Sequence, residues 1–401
     1  MSASHETTHC PFDFSTALEF DPSLTHQMGD STPTRIRLEY GDADAWLVTS
    51  FDGVKQVVTD QRFSRAGIIG EDYPRMTPEP IVSPESVNVM DPPVSTRVRK
   101  LASQAFTQPQ VDGLRHRIVA LADRVLDDME KQGPPADLVA HLSETLPRHT
   151  ILDLLGIERA EWPRMQESVQ RLLILGPGGK EAAAQAKTEL TDYFAGLVAK
   201  RRVDPGEDLI SMMAAARDGE EQLDDRELAV MTLTLTLSGQ DTATCQISDI
   251  AYLLLTRPQL MDYARKHPER LTDVLHEMLR YIPFRKGVGI PRVALEDVEL
   301  DGVKIRKGDY VHVSYLTANR DPNRYPDPHT IDFSRPNRPH MTFGWGGHRC
   351  IAVPLAMAEL EIAVGRLLER FPSLKLAVPA EEVRWDDETI RRFPLSLPVA
   401  W

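Results

Sequence analysis

The fourteen residues FGWGGHRCIAVPLA, Phe343–Ala356, limit what this chain can fold into more than any other stretch. Glycines at 344, 346 and 347 permit positive φ angles and a close approach of backbone to a planar ligand. His348 and Cys350 follow, and the apolar run behind them predicts a helix over 351–371. A cysteine that only fills space needs no such loop. Backbone N–H groups freed in the loop, and the positive end of the helix behind it, both favour a thiolate at Cys350. The other cysteines are Cys10 and Cys245, so there is no disulfide framework and no Cys-x-x-Cys or His–Cys set for zinc. A single thiolate held this way suits an axial ligand to iron.

The chain is 401 residues long and 41% hydrophobic, enough for one large core or two. A net charge of −14 argues against non-specific nucleic-acid binding, which needs a basic face. The N-terminal MSASHETTHCPFDF has no apolar core of a signal peptide, and no run approaches the roughly 20 apolar residues that span a bilayer. With so few cysteines, this predicts a cytoplasmic protein.

Two alternating stretches, 34–40 and 45–51, predict a hairpin. Residues 74–85 read as a long irregular loop. From Pro93 to Arg280 apolar residues recur at three- and four-residue spacing, including HLSETLPRHTILDLLG, and predict helices. GPGGK (176–180) reads as a connector. A long helix is expected from Asp224 or Asp225, as its cap, to about Thr256. Short strands are expected between Val288 and Val313. The fold class is therefore mainly α with a smaller β part, in one domain over 1–401.

Phe343-x-x-Gly346-x-His348-x-Cys350-x-Ala352 resembles the haem-binding loop of the cytochrome P450 family, with Ala352 where glycine is commoner. Three further motifs agree with it. Glu277-x-x-Arg280 resembles the family's fold-stabilising pair, with Arg335 as its expected third partner. Ser238-Gly239-Gln240-Asp241-Thr242 resembles the oxygen-activating segment, which implies that Asp241 relays protons from solvent and that the Thr242 hydroxyl hydrogen-bonds the bound peroxide. Gly239 is expected to leave room beside the haem. DPPVSTRVRK resembles the family's DPPEHTRLRR, with Ser95 in place of the usual histidine. Arg99 from that segment, Arg292 and His348 are expected to pair with the haem propionates, and Phe343 and Gly344 to line the haem.

The resemblance spans essentially the whole chain. It implies the P450 fold, with the haem between the long helix and the cysteine-loop helix, and haem b (iron protoporphyrin IX) ligated by Cys350. It also implies a monooxygenase or oxidase that takes electrons from a ferredoxin and its ferredoxin reductase. Arg97, Lys100 and Arg349 are the expected basic patch for that partner, and a monomer is the default state.

For the substrate, the positions expected to wall the pocket are Arg65, Ile69, Val89, Leu237, Ser238, Arg285, Val288 and Phe393. Most are apolar, which predicts an apolar molecule. Arg65 and Arg285 suit phenolate or carbonyl oxygens and stack on aromatic faces. The stretch RYIPFRKGVGIPR is similar to that of family members that couple aromatic rings, including those of cyclic dipeptides containing tryptophan. Hydroxylation stays open because Thr242 is kept. A hydroxylase of aliphatic macrolides or terpenes is the alternative, and a ligand-binding sensor without turnover is the alternative of another class.

Overall fold

The computed structural model describes all residues except 1–7, 10–16, 21–23, 26–27, 29, 78–83, 173–178, 286, 337–338 and 387–389. Most of the predicted connector GPGGK and the middle of the 74–85 loop fall outside the described residues.

The strands in chain order are β1 Thr8–His9, β2 Thr34–Arg37, β3 Ala45–Val48, β4 Phe63–Ser64, β5 Ala136–Asp137, β6 Arg292–Ala294, β7 Val298–Leu300, β8 Val303–Ile305, β9 Tyr310–Val313, β10 Lys375–Leu376 and β11 Pro398–Ala400. The helices are α1 Phe51–Thr59, α2 Val94–Ala102, α3 Gln108–Gln132, α4 Thr145–Leu154, α5 Trp162–Leu172, α6 Gly179–Val203, α7 Leu209–Ala215, α8 Asp225–Thr256, α9 Pro258–Lys266, α10 Leu271–Tyr281, α11 Tyr315–Ala318 and α12 Val353–Arg370. None of the described helices is long and apolar enough to cross a membrane.

By its contacts the chain gathers into two compact units, each stitched together from three stretches. The first takes 1–95, 269–350 and 385–393. Its six-stranded sheet runs β1-β2-β3-β9-β6-β4. The predicted hairpin is there, with β2 antiparallel to β3 and Thr34 opposite Leu47. β3 then pairs in parallel with β9, which arrives from the far side of the sequence. α1 is capped by Ser50, whose hydroxyl accepts from Gly53 N at 3.2 Å. One core cluster holds α1 against the sheet through Trp46, Val48, Phe51, Val54, Val57 and Val311.

The second unit takes 96–268, 351–384 and 394–401. It is helical, with a small sheet ordered β10-β11-β5. α8 is its longest described element at 32 residues. Asp224 caps it, accepting from Glu227 N at 2.7 Å, while Glu227 Oε2 accepts from Asp224 N at 3.0 Å. This reciprocal box satisfies two N–H groups that a helix start leaves unpaired.

Two helical expectations need correction. HLSETLPRHTILDLLG is not one α-helix: a π turn over Val139–Ser143 precedes α4, because the backbone N–H of Glu144 bonds to Val139 O, five residues back. The helix after Cys350 begins at Val353 rather than 351, with Ala352 as its cap and Pro354 in its first turn. Proline tolerates that place because its missing N–H would have had no partner there.

Candidate active site: a cysteine loop and an open helix strip

In the first unit, the cysteine loop follows from its glycines. Gly344 and Gly346 carry φ of +72° and +67°. A Cβ at Gly346 would lie 2.6 Å from Val58 O, so only glycine lets the loop sit on the end of α1. Gly347 needs neither allowance: its φ is not positive and a Cβ would meet open space. Cys350 N donates to Phe343 O at 2.8 Å, which closes the loop and leaves the cysteine as an exposed thiol.

The Glu–Arg motif anchors this loop. Arg280 meets Glu277 twice, Nη2 to Oε1 at 2.7 Å and Nε to Oε2 at 2.8 Å. Arg335 is the third partner, with Nε 3.3 Å from Glu277 Oε1. Arg280 also donates to Asn319 O at 3.0 Å. Asn319 in turn accepts from Met341 N at 2.6 Å and donates to Thr342 Oγ1 at 2.9 Å, the two residues before Phe343. A buried ion pair therefore fixes the root of the cysteine loop through one asparagine.

One histidine adds to this anchor and another is buried on the sheet, and sequence reasoning missed both. His340 accepts from Thr342 N at its Nδ1, at 3.3 Å, so the proton of the neutral ring sits on Nε2 and points to His276 Nδ1, 3.0 Å away. Burial first, then the charges of His276, Arg280 and Arg349, lower His340 to about 3. His312, on β9, contacts Gly289 O at 3.1 Å and Pro74 O at 3.0 Å. Burial outweighs those bonds and lowers it to about 4. A lone histidine in a loop or strand carries no sequence signal for such a role.

Both native values lie below the unfolded value of 6.5, so both rings stabilise the fold above that pH and lose the contribution as pH falls toward 4. Melting temperature should therefore fall between pH 6.5 and 4. In His340→Gln the fall should be shallower, so the gap between the two proteins narrows in acid. A gap that stays constant would show that the fold does not lower the His340 pKa below its unfolded value.

Arg292 on β6 is 2% exposed, yet neither Nη1 nor Nη2 has a hydrogen-bond partner among the described residues. A buried guanidinium without acceptors is costly, and an external carboxylate would complete it. His348 lies partly buried in the 3₁₀ turn Gly346–His348. Arg99 sits partly buried on α2, in the second unit.

In the second unit, α8 is buried along most of its length, but Val230, Thr234 and all residues from Leu237 to Ala243 are partly buried or exposed, and among these Thr234, Leu237, Ser238, Asp241 and Thr242 share a face. Their spacing of three and four places them on one strip of the helix. Thr242 Oγ1 donates to Ser238 O at 2.9 Å. Gly239 departs from expectation. A Cβ there would meet Ile151 Cγ1 of α4 at 3.1 Å, so the glycine serves close packing of two helices. On α12, burial raises the Glu359 carboxyl to about 8, so it is neutral at pH 7.

The expected substrate residues divide. Leu237 and Ser238 are on the open strip, and Ile69 is 43% exposed. Arg285 is partly buried beside Phe284, 5.9 Å from its ring centre. Val288 is also partly buried, against Leu24, Ile36 and Leu47. Three expectations are corrected. Val89 is 3% exposed and packed with Ile68 and Tyr73 in a core cluster. Phe393 is 2% exposed beneath the Arg391 guanidinium. Arg65 donates Nη1 to Asn88 O at 2.8 Å, and its backbone N–H donates to Asp91. These three are committed to packing or to bracing the chain. The expected basic patch is altered as well: Arg97 is paired with Glu227 and Lys100 with Asp218.

An exposed thiol in a glycine-shaped loop, an anchoring Glu–Arg–Arg set and a buried arginine lacking an acceptor define a haem-thiolate protein. The family model described as Cytochrome P450 matches residues 174–384. Nocardicin C N-oxygenase of Nocardia uniformis subsp. tsuyamanensis is 39% identical over 397 residues, covering 99% of each chain. Biflaviolin synthase CYP158A1 of Streptomyces coelicolor is 39% identical over 383 residues, 96% of this chain and 93% of that one. The crystal structure of cytochrome P450mel 107F1, described as having biaryl coupling reactivity, matches with a TM-score of 0.94 at 53% identity, over 99% of this chain and 100% of that one. The chain belongs to the cytochrome P450 family, and its cofactor is haem b with a thiolate on the iron. It is a P450 monooxygenase of bacterial secondary-metabolite type.

Proposed function

We propose that this P450 acts on an apolar aromatic secondary metabolite, by hydroxylation or by oxidative coupling of aromatic rings. The observation that carries the chemistry is the open stretch of α8, where Asp241 and Thr242 are adjacent between buried stretches of the helix. The description of P450mel 107F1 as a biaryl coupler, at 53% identity, supports an aromatic substrate.

Cys350 would be the thiolate ligand, and Arg292 and His348 of the same unit would hold carboxylates of the haem. Bound there, the haem supplies dioxygen activation, with the thiolate's electron density favouring O–O cleavage. The chain's residues supply protons and position. Asp241 exchanges protons with solvent. Thr242 Oγ1 directs its own proton to Ser238 O, so its lone pairs can hold a proton donor in place. Ile69 and Arg285 contact the substrate, and a ferredoxin with its reductase supplies electrons.

Replacing Arg292 tests the cofactor assignment. Arg292→Met removes a buried charge whose Nη1 and Nη2 lack an acceptor among the described residues. The apoprotein should melt no lower than wild type, while haem affinity falls by roughly tenfold or more, about the worth of a charge-assisted pair. A lower apoprotein melting temperature with unchanged haem affinity would assign Arg292 to the fold instead.

Turnover tests the reaction. With a surrogate ferredoxin and reductase, products from phenols and indoles should carry one added oxygen or join two substrate rings. Oxidation of aliphatic macrolides or terpenes alone would favour the conventional hydroxylase. Spectral binding without any product would favour a sensor.

A further inference from the structure

The open strip of α8 has a polarity. Three hydroxyls stand on it at i, i+4 and i+8. Thr234 Oγ1 lies 2.8 Å from Val230 O, Ser238 Oγ 2.7 Å from Thr234 O, and Thr242 Oγ1 2.9 Å from Ser238 O. A backbone carbonyl cannot donate, so each hydroxyl must direct its only proton at the helix. What each presents outward is a pair of lone pairs. The three oxygens repeat about every 6 Å along the helix, four residues at 1.5 Å. The other two residues on the strip are Leu237 and Asp241, an apolar side chain and a carboxyl. The strip has no Lys, Arg, Asn or Gln. The neighbouring Gln240 amide is turned elsewhere, with Nε2 on Thr236 O at 3.0 Å.

We infer that Thr234 and Ser238 form an acceptor-only rail that selects substrates carrying an O–H or N–H donor, such as a phenol or an indole, and turns that donor toward α8. This deepens the functional reading above and rests on it. An ether or ketone oxygen placed on the rail would meet lone pairs with nothing to donate, and it would lose its water without replacement. Thr242 is the last oxygen of the row and is assigned to protons, so Thr234 and Ser238 are left for recognition. Ser238 is exposed and is the better placed of the two.

Matched ligand pairs read this directly: 2-naphthol against 2-methoxynaphthalene, and indole against N-methylindole. Binding is followed on the holoenzyme by the haem spectrum and, separately, by heat of binding, which needs no haem signal. Wild type should bind each donor roughly tenfold tighter than its methylated partner, the scale of one satisfied hydrogen bond. Ser238→Ala combined with Thr234→Val should bring that ratio toward one, with the methylated ligand changed less than about twofold. Ser238→Thr, which keeps a hydroxyl, should keep the ratio.

A wild-type ratio near one, a ratio untouched by the double variant, or no binding of either donor would overturn the inference. A missing thiolate-haem spectrum with the calorimetric ratio intact would instead overturn the P450 chemistry and leave the rail standing.

Discussion

Cys350→Ser should abolish the thiolate-type haem spectrum and reduce turnover to the background of the assay, while the melting temperature of the apoprotein stays within a few degrees of wild type. The separation of the two effects follows from position. The Cys350 side chain is exposed, so it contributes little to packing. The bond that closes the loop, Cys350 N to Phe343 O at 2.8 Å, is made by backbone and survives the substitution. A serine hydroxyl is far less acidic than a thiol and does not give the iron the same electron density. Absorption spectra of oxidised, reduced and carbon-monoxide-bound protein provide the check. A spectrum unchanged from wild type would remove Cys350 from the iron.

Glu277→Ala should have the largest effect on stability. It strips acceptors from Arg280, from Arg335 and from Asp332 N, which lies 3.0 Å from Oε1. Arg280 is 2% exposed and would keep its charge without a counter-ion. Removing one partner of a buried ion pair costs about 3–5 kcal/mol. For a protein of this size that lowers the melting temperature by roughly 4–6 °C. Because Arg280 also holds Asn319, and Asn319 holds Met341 and Thr342, the haem content of purified protein should fall along with stability. Glu277→Gln keeps one acceptor oxygen and should lie between the two. A melting temperature and haem content equal to wild type would show that the carbonyls of Asn319, Pro328 and Thr330 suffice for Arg280.

The two variants test different halves of one arrangement. Cys350 is the chemical end of the loop and Glu277 the mechanical end, about seventy residues earlier in sequence. The sequence reading had both ends and Arg335. It lacked the middle, because an asparagine bridging a guanidinium to two loop residues has no periodicity or spacing that marks it.

Local rules account for what could be read in advance. The hairpin, the strands from Arg292 to Val313, the capped start of α8 and the positive-φ glycines of the cysteine loop each depend on a few neighbouring residues. The π turn before α4 was missed because a five-residue bond differs from a four-residue one by packing, and the apolar spacing is nearly the same.

Sequence by itself determined the family, the cysteine loop, the Glu–Arg–Arg anchor and the acid–alcohol pair at 241 and 242, because each is a fixed set of residue types at fixed spacing. Only the tertiary structure decided which apolar and cationic residues are available. Val89 and Phe393 lie in packed interior, Arg65 braces the chain, Gly239 admits Ile151, and Arg292 alone among the expected propionate partners combines full burial with unanswered donors. The reason is physical: whether a side chain meets solvent, a ligand or another side chain is set by residues distant in sequence, and a residue's type does not carry that information.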